Sequence, residues 1–167
     1  MLATVGHFGA DKFSDYWKVL VKGGAKIASG WTEAYNTDFS AGEGKGAYPI
    51  VVSYASSPSY TVSKDGASTT TAALLDTAFR QVEYAGVLKG AANPAGGQAF
   101  INWMLSKNVQ ADIPKKMYMY PVDSSVQLPE ALAKFGPLAE KPVEVAPAKI
   151  AAEREQWLKL WASAVGK

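Results

Sequence analysis

The sequence has 167 residues, 48% of them apolar and 19% charged, which is enough for one substantial hydrophobic core and too little for two comfortable ones. Its 17 basic and 15 acidic residues give a formal charge of +2 and are scattered without a like-charged run. That pattern excludes the charge footprint of a nucleic-acid or anionic-membrane binder, and the lack of cysteine excludes disulfides, thiolate metal sites and a thiol nucleophile.

Met1–Ala10 has no basic region leading into an apolar run, so neither a signal peptide nor an anchor is expected there. From Ala10 to Lys22, Phe13, Trp17, Leu20 and Val21 recur on one helical face, and Gly23-Gly24 ends the helix. Ala25–Ser29 reads as a short buried strand, and Gly30-Trp31-Thr32-Glu33 as a turn into a helix running toward Phe39. Ala41–Gly46 is a glycine-rich turn. Tyr48–Tyr54 is β-branched and almost wholly apolar, the composition of a central strand covered on both faces. After it, Ala55-Ser56-Ser57-Pro58 stops the strand, and Pro58 opens a short helix carrying Tyr60.

Ser63–Thr71 is polar and turn-rich, and Phe79–Leu88 returns to strand composition. Asn93-Pro94 makes a cap and first-turn pair for a helix whose inner face holds Phe100, Trp103 and Met104, with a second short helix near Asn108. Ile113-Pro114 is expected to break that pattern, and Met117–Val122 to run extended as a linker or hinge. Leu128–Phe135 suits a short helix, whereas Gly136–Pro147 holds three prolines and reads as an extended arm. Pro147–Val165 is an amphipathic helix with Ile150, Trp157, Leu158, Trp161 and Val165 on one stripe. Strands alternating with helices predict an α/β fold with a mixed, largely parallel sheet, whose ligands bind beyond the strand ends.

The lone histidine, His7, has no ligand-like neighbours, and the glycine-rich stretches match neither a phosphate loop nor a dinucleotide fingerprint. Asp76, Glu83, Asp112 and Asp123 fall in unrelated surroundings, so no acid–base pair is suggested. Neither catalytic residues, metal ligands nor a cofactor site is expected. Aromatic residues instead gather at predicted strand ends and turns: Trp31, Tyr54, Tyr60, Tyr118 and Tyr120. Ring faces carry negative potential that attracts organic cations, and flat heterocycles stack on them. Trp17, Trp103, Trp157 and Trp161 lie on helical stripes and read as packing residues.

Two blocks, Gly30-Trp31-Thr32-Glu33-Ala34-Tyr35 and Val52-Ser53-Tyr54-Ala55-Ser56-Ser57-Pro58-Ser59-Tyr60, resemble in order and spacing the thiamine-binding proteins of ABC importers. Gln81-Val82-Glu83, Ile113-Pro114, Met119-Tyr120-Pro121-Val122 and Pro147–Trp157 look like later landmarks of that family. The resemblance implies an extracytoplasmic solute-binding protein, of which this chain corresponds to the C-terminal half. Residues 1–116 would be the second lobe of a two-lobe periplasmic-binding-protein fold, and 117–167 a hinge, arm and helix that pack on the first lobe. It further implies that Trp31, Tyr54, Ser57 and Tyr60 enclose thiamine or a phosphorylated thiamine. Tyr118 stands where the family has a tryptophan closing the pocket. The expected partners are this ligand, an ABC permease, and a second copy of the chain through the C-terminal helix. Alternatives are a metal or polyamine binder of the same fold, and an assembly unit without transport function.

Overall fold

A computed structural model describes residues 1–167. The chain divides into two compact units: Met1–Ser53 with Leu74–Arg80 and Ala139–Lys167, and Tyr54–Ala73 with Gln81–Leu138. Residues 117–138 therefore lie in the second unit and residues 139–167 in the first.

The first unit is built around three helices. Helix α1 (Leu2–Phe8) ends at Gly9, whose φ of 84° turns the chain and lets its N–H reach the Val5 carbonyl. Helix α2 (Phe13–Lys22) carries Asp15 in its first turn and Lys22 in its last, both favourable to the helix dipole, and stops at Gly23-Gly24 as its sequence predicts. The long C-terminal helix, α6 (Pro147–Val165; α3 to α5 belong to the second unit), starts on Pro147 and ends at Gly166, which takes the left-handed conformation and donates to Ala162. Its apolar stripe packs on α1 and α2: Val5, Phe13 and Trp157 form a buried core, ringed by Leu2, Trp17, Ile150 and Trp161. Trp17 meets Trp161 edge to face at 5.8 Å and donates its indole N–H to Thr4 Oγ1 at 3.0 Å. Gly6 lets α1 lie directly against Val143 and Val145, where any side chain would clash.

Between α2 and α6 the first unit is irregular. Glu33–Asp38 forms a π-helical turn in place of the ordinary helix expected toward Phe39. The glycine-rich stretch after it wraps this turn, with Gly44 N–H donating to Asn36 O at 2.7 Å and Gly46 pressed on the Asp38 backbone too closely for a Cβ. These glycines therefore serve close backbone approach. Leu75–Thr77 makes a single 3-10 turn.

The second unit holds a 3-10 turn at Ser57–Tyr60 and helices α3 (Pro94–Met104), α4 (Lys107–Met117) and α5 (Glu130–Phe135). Asn93 caps α3 as expected, its Oδ1 accepting from Gly96 N–H at 2.9 Å, and Pro94 occupies the first turn. Helix α4 runs through Pro114 rather than breaking there. The proline is buried and its carbonyl takes a hydrogen bond from Tyr60, so packing offsets the helical bond it cannot make. α5 packs on the 3-10 turn through the buried Leu132. Ser63–Thr71 folds back on itself, with a bridge between Val62 and Thr69 and a turn at Gly66.

The expected sheet is absent. The chain is 47% helical and 4% strand, and pairing is limited to isolated bridges, Phe39 with Tyr48, Val62 with Thr69, and Phe79 with Val143. One lobe of a parallel-sheet binding-protein fold is therefore not what these residues build. Tyr48–Tyr54 leaves Val52 82% exposed, far from the two-sided burial expected of a central strand, and Phe79–Leu88, expected as a strand, leaves Tyr84 90% exposed. The physical reason is that a β-branched apolar run reports a local preference, whereas a ladder needs a second strand that supplies donors and acceptors. Each run meets a neighbour only at its first residue, Tyr48 with Phe39 and Phe79 with Val143, and no ladder extends beyond that bridge.

Candidate functional site

The rings singled out in the sequence fall in both units. In the first, Trp31 stacks on Tyr35 with centroids 4.8 Å apart and planes 12° from parallel, and its Nε1 donates to Ser53 Oγ at 3.0 Å. Trp31 remains 45% exposed. Tyr35 in turn leans on Phe39 at 5.5 Å, so the buried Phe39 backs the platform.

An ion-pair cluster holds the π-helical turn that carries Tyr35. Lys26 Nζ donates to Glu33 Oε1 at 2.7 Å and Asp38 Oδ1 at 2.9 Å, and Glu33 Oε2 accepts from Ser29 N–H at 2.9 Å and Ser29 Oγ at 2.6 Å. Asp38 Oδ2 lies 2.7 Å from the same ammonium but makes no hydrogen bond, so that contact is an ion pair alone. Lys26, followed by Ser29, holds the Glu33 carboxyl down from its ordinary 4.5 to about 2. Asp38 and then Glu33 push the Lys26 ammonium upward. Glu33 is thus committed to shaping the turn.

In the second unit, Tyr54, Ser57, Tyr60 and Tyr118 converge on the 3-10 turn and the end of α4. Ser57 opens the turn, its N–H donating to Tyr54 O at 3.0 Å, and Pro58 supplies a first-turn φ. Tyr60, at the turn's other end, donates its hydroxyl to Pro114 O at 2.8 Å. Its ring meets Tyr118 edge to face, centroids 4.4 Å apart and planes at 88°. Tyr54, Tyr60 and Tyr118 each stay about half exposed. Burial raises the Tyr60 phenol above its ordinary value, against a smaller pull from Ser59.

Tyr118 ends α4 at φ 60°, ψ 20°, in the left-handed region that residues with a Cβ seldom enter. Ser56 Oγ donates to Tyr118 O at 2.8 Å. Gln110 braces the chain just beyond, its Nε2 donating to Met104 O at 2.9 Å and its Oε1 accepting from Val122 N–H at 2.8 Å. Tyr120 is half-buried, its hydroxyl donates to Gly136 O at 2.6 Å, and burial pushes its phenol up to about 12. Tyr120 therefore acts as a brace under the site.

Sequence reasoning missed Tyr35, Ser56 and Gln110. Tyr35 was readable in principle, four residues after Trp31 and so on the same side of a helical turn. Ser56 and Gln110 carried no signal, because their partners are remote in the chain.

Two grooves, each about 310 Å³, include none of Trp31, Tyr54, Ser57, Tyr60 and Tyr118: one is lined by Ala10, Asp11, Ser14, Glu153, Gln156, Trp157 and Leu160. The other is lined by Val62, Asp65, Gly66, Glu130, Ala131, Lys134 and Phe135. Trp31, Tyr54, Tyr60 and Tyr118 instead each leave about half of their surface open to solvent. The chain holds no group of three or more His, Cys, Asp or Glu side chains placed to share a metal.

Half-exposed rings of this kind have faces on which a flat heterocycle can stack and to which an organic cation is drawn, and the second unit sets Tyr54, Tyr60 and Tyr118 beside the Ser57 turn. The chain resembles thiamine-binding periplasmic proteins: it is 32% identical to that of Escherichia coli K12 over 90% of its length, and 30% identical to that of Salmonella typhimurium LT2 over 94%. A Brucella melitensis protein of the same name is 30% identical over 100% of the chain. The resemblance drawn from the two aromatic blocks is thereby borne out. The chain spans about half the length of these relatives, 44%, 46% and 49% respectively. No family model and no solved structure matches it.

Proposed function

We propose that this chain is part of the solute-binding component of an ABC importer and captures thiamine through Trp31, Tyr54, Ser57, Tyr60 and Tyr118. It acts by binding and release and carries out no reaction. The observation that carries the reading is the Tyr60–Tyr118 ring pair, with Ser57 on the same 3-10 turn, in a chain similar to thiamine-binding periplasmic proteins. The chemistry is complementary: a cationic thiazolium is drawn to ring faces, a flat aminopyrimidine stacks on them, and a serine hydroxyl can bond a polar substituent.

The reading places the protein outside the cytoplasm, delivering its ligand to a permease. No helix of the chain is long and apolar enough to cross a membrane. Phosphorylated thiamine is a second ligand within the same reading. Association of two copies through α6 would have to use what its packing leaves exposed, chiefly Leu158 and Leu160, because Trp157 is buried within the first unit.

Titration calorimetry of the 167-residue chain with thiamine tests the proposal. Only weak binding is expected, because the chain spans about half the length of its relatives, and Tyr118→Ala and Trp31→Ala should each weaken it further, roughly 2- to 30-fold, the range of one cation–π contact. Absence of binding at millimolar thiamine, or full affinity in both variants, would refute it.

A further inference from the structure

Resting on the proposed binding role, we infer that Ser56 is a positioning residue, whose buried hydroxyl holds the Tyr118 ring in its edge-on contact with Tyr60. Ser56 is 1% exposed, so its hydroxyl cannot touch a ligand on the open ring surface. It donates instead to the Tyr118 carbonyl at 2.8 Å, across 62 residues of sequence.

Tyr118 needs such a hold. Its left-handed backbone, φ 60°, is disfavoured for a side chain of any size, and peptide rotation back to the right-handed or extended region would redirect the Cα–Cβ bond. The carbonyl is the part of this residue that Ser56 fixes. A hydrogen bond there penalises rotation, because the part-buried oxygen would lose its donor.

Ser56 is itself anchored at its carbonyl and at its Cα. Its carbonyl accepts from Ser59 N–H at 3.0 Å and from Ser59 Oγ at 2.7 Å. Its Cα packs under Gly136, where an added Cβ would come within 3.0 Å. Gly136 O is held in turn by the Tyr120 hydroxyl. The 3-10 turn is thus tied to the last turn of α4 by two bonds, Ser56 to Tyr118 O and Tyr60 to Pro114 O. The second ends on one ring of the pair, and the first sets the other ring without being part of it.

The test uses the full 167-residue chain with labelled tyrosines, and NMR cross-peaks between the rings of Tyr60 and Tyr118 report their contact directly. Ser56→Ala should abolish these cross-peaks while the Trp157 indole signal stays unchanged, and should lower thiamine affinity roughly 2- to 10-fold. In a Tyr118→Ala background, Ser56→Ala should cost no further affinity, because the ring it places is gone. A residue that only stabilised the unit would weaken binding in both backgrounds. If Ser56→Ala fails to fold, Ser56→Cys keeps the volume with a much weaker donor, and should likewise weaken the cross-peaks. Persistence of the cross-peaks in the folded variant, or an equal loss of affinity in both backgrounds, overturns the inference. Should the unmodified chain fail to bind thiamine, the proposed function falls while the ring cross-peaks still decide the role of Ser56.

Discussion

Glu33 illustrates how one side chain can be spent on geometry rather than on a ligand. Its carboxyl is drawn from 4.5 to about 2 by Lys26 and Ser29, and the turn it pins carries Tyr35 beneath Trp31. A group whose folded pKa is depressed contributes stability that is fully present above its unfolded value and lost as pH falls through the folded one. The clamp should therefore be intact above about pH 5 and release progressively between 4.5 and 2. Trp31 emission, taken as the difference from a Trp31→Phe chain, should follow that release. Lys26→Met removes the main pull and should move the transition up toward 4.5; a transition already centred there in the unmodified chain would contradict the clamp. Tyr120 works with the opposite sign. Its phenol is raised to about 12 by burial, so its contribution is complete below pH 10 and lost as pH rises through 12. Tyr120→Phe leaves the Gly136 carbonyl without its donor and should cost about 1–2 kcal/mol in denaturant unfolding, with the upper phenolate absorbance step removed.

Among the elements, the helices were legible where local chemistry decides them. The Asn93-Pro94 start of α3, the Gly23-Gly24 stop of α2 and the stripe of α6 each depend on residues within a turn or two of one another. Where a helix depended on distant contacts the reading failed, as at Pro114, whose burial and Tyr60 hydrogen bond let α4 continue. The candidate site divides in the same way. Trp31, Tyr54, Ser57, Tyr60 and Tyr118 could be named as chemistry, yet the bonds that place them, such as Ser56 to Tyr118 O, join positions no periodicity relates. At α6 the stripe predicted an apolar partner and the partner is α1 with α2. Trp157 is 1% exposed and Leu158 38%. Trp157→Ala should accordingly destabilise the first unit by about 3–5 kcal/mol, measured by urea unfolding followed through Trp17 and Trp161 emission. Leu158→Ala should cost under about 1 kcal/mol. Equal costs would mean that α6 does not dock on the face described.

For the molecule as a whole, the two apolar extended runs decide between a helical chain and a sheet. Tyr48–Tyr54 has the composition of a covered central strand and Phe79–Leu88 that of a strand, and their sequence alone could not reveal that pairing stops at Tyr48 and Phe79 and leaves Ile50–Val52 and Gln81–Val87 without a ladder, because pairing is a property of two segments. With no ladder their amides have only water to bond, and local opening should require almost no free energy. The amides of α2 and α6, bonded within helices and packed around Phe13 and Trp157, open only when that core does. Hydrogen exchange resolved by residue should therefore show the two runs exchanging at nearly unprotected rates while the middle of α6 is slowed by orders of magnitude. The far-UV circular dichroism should be dominated by helix. Protection spread through Ile50–Val52 and Gln81–Val87 would require a strand partner, within the chain or from a second copy, and dilution distinguishes these: protection that weakens with dilution comes from association, and protection that does not comes from a sheet within the chain.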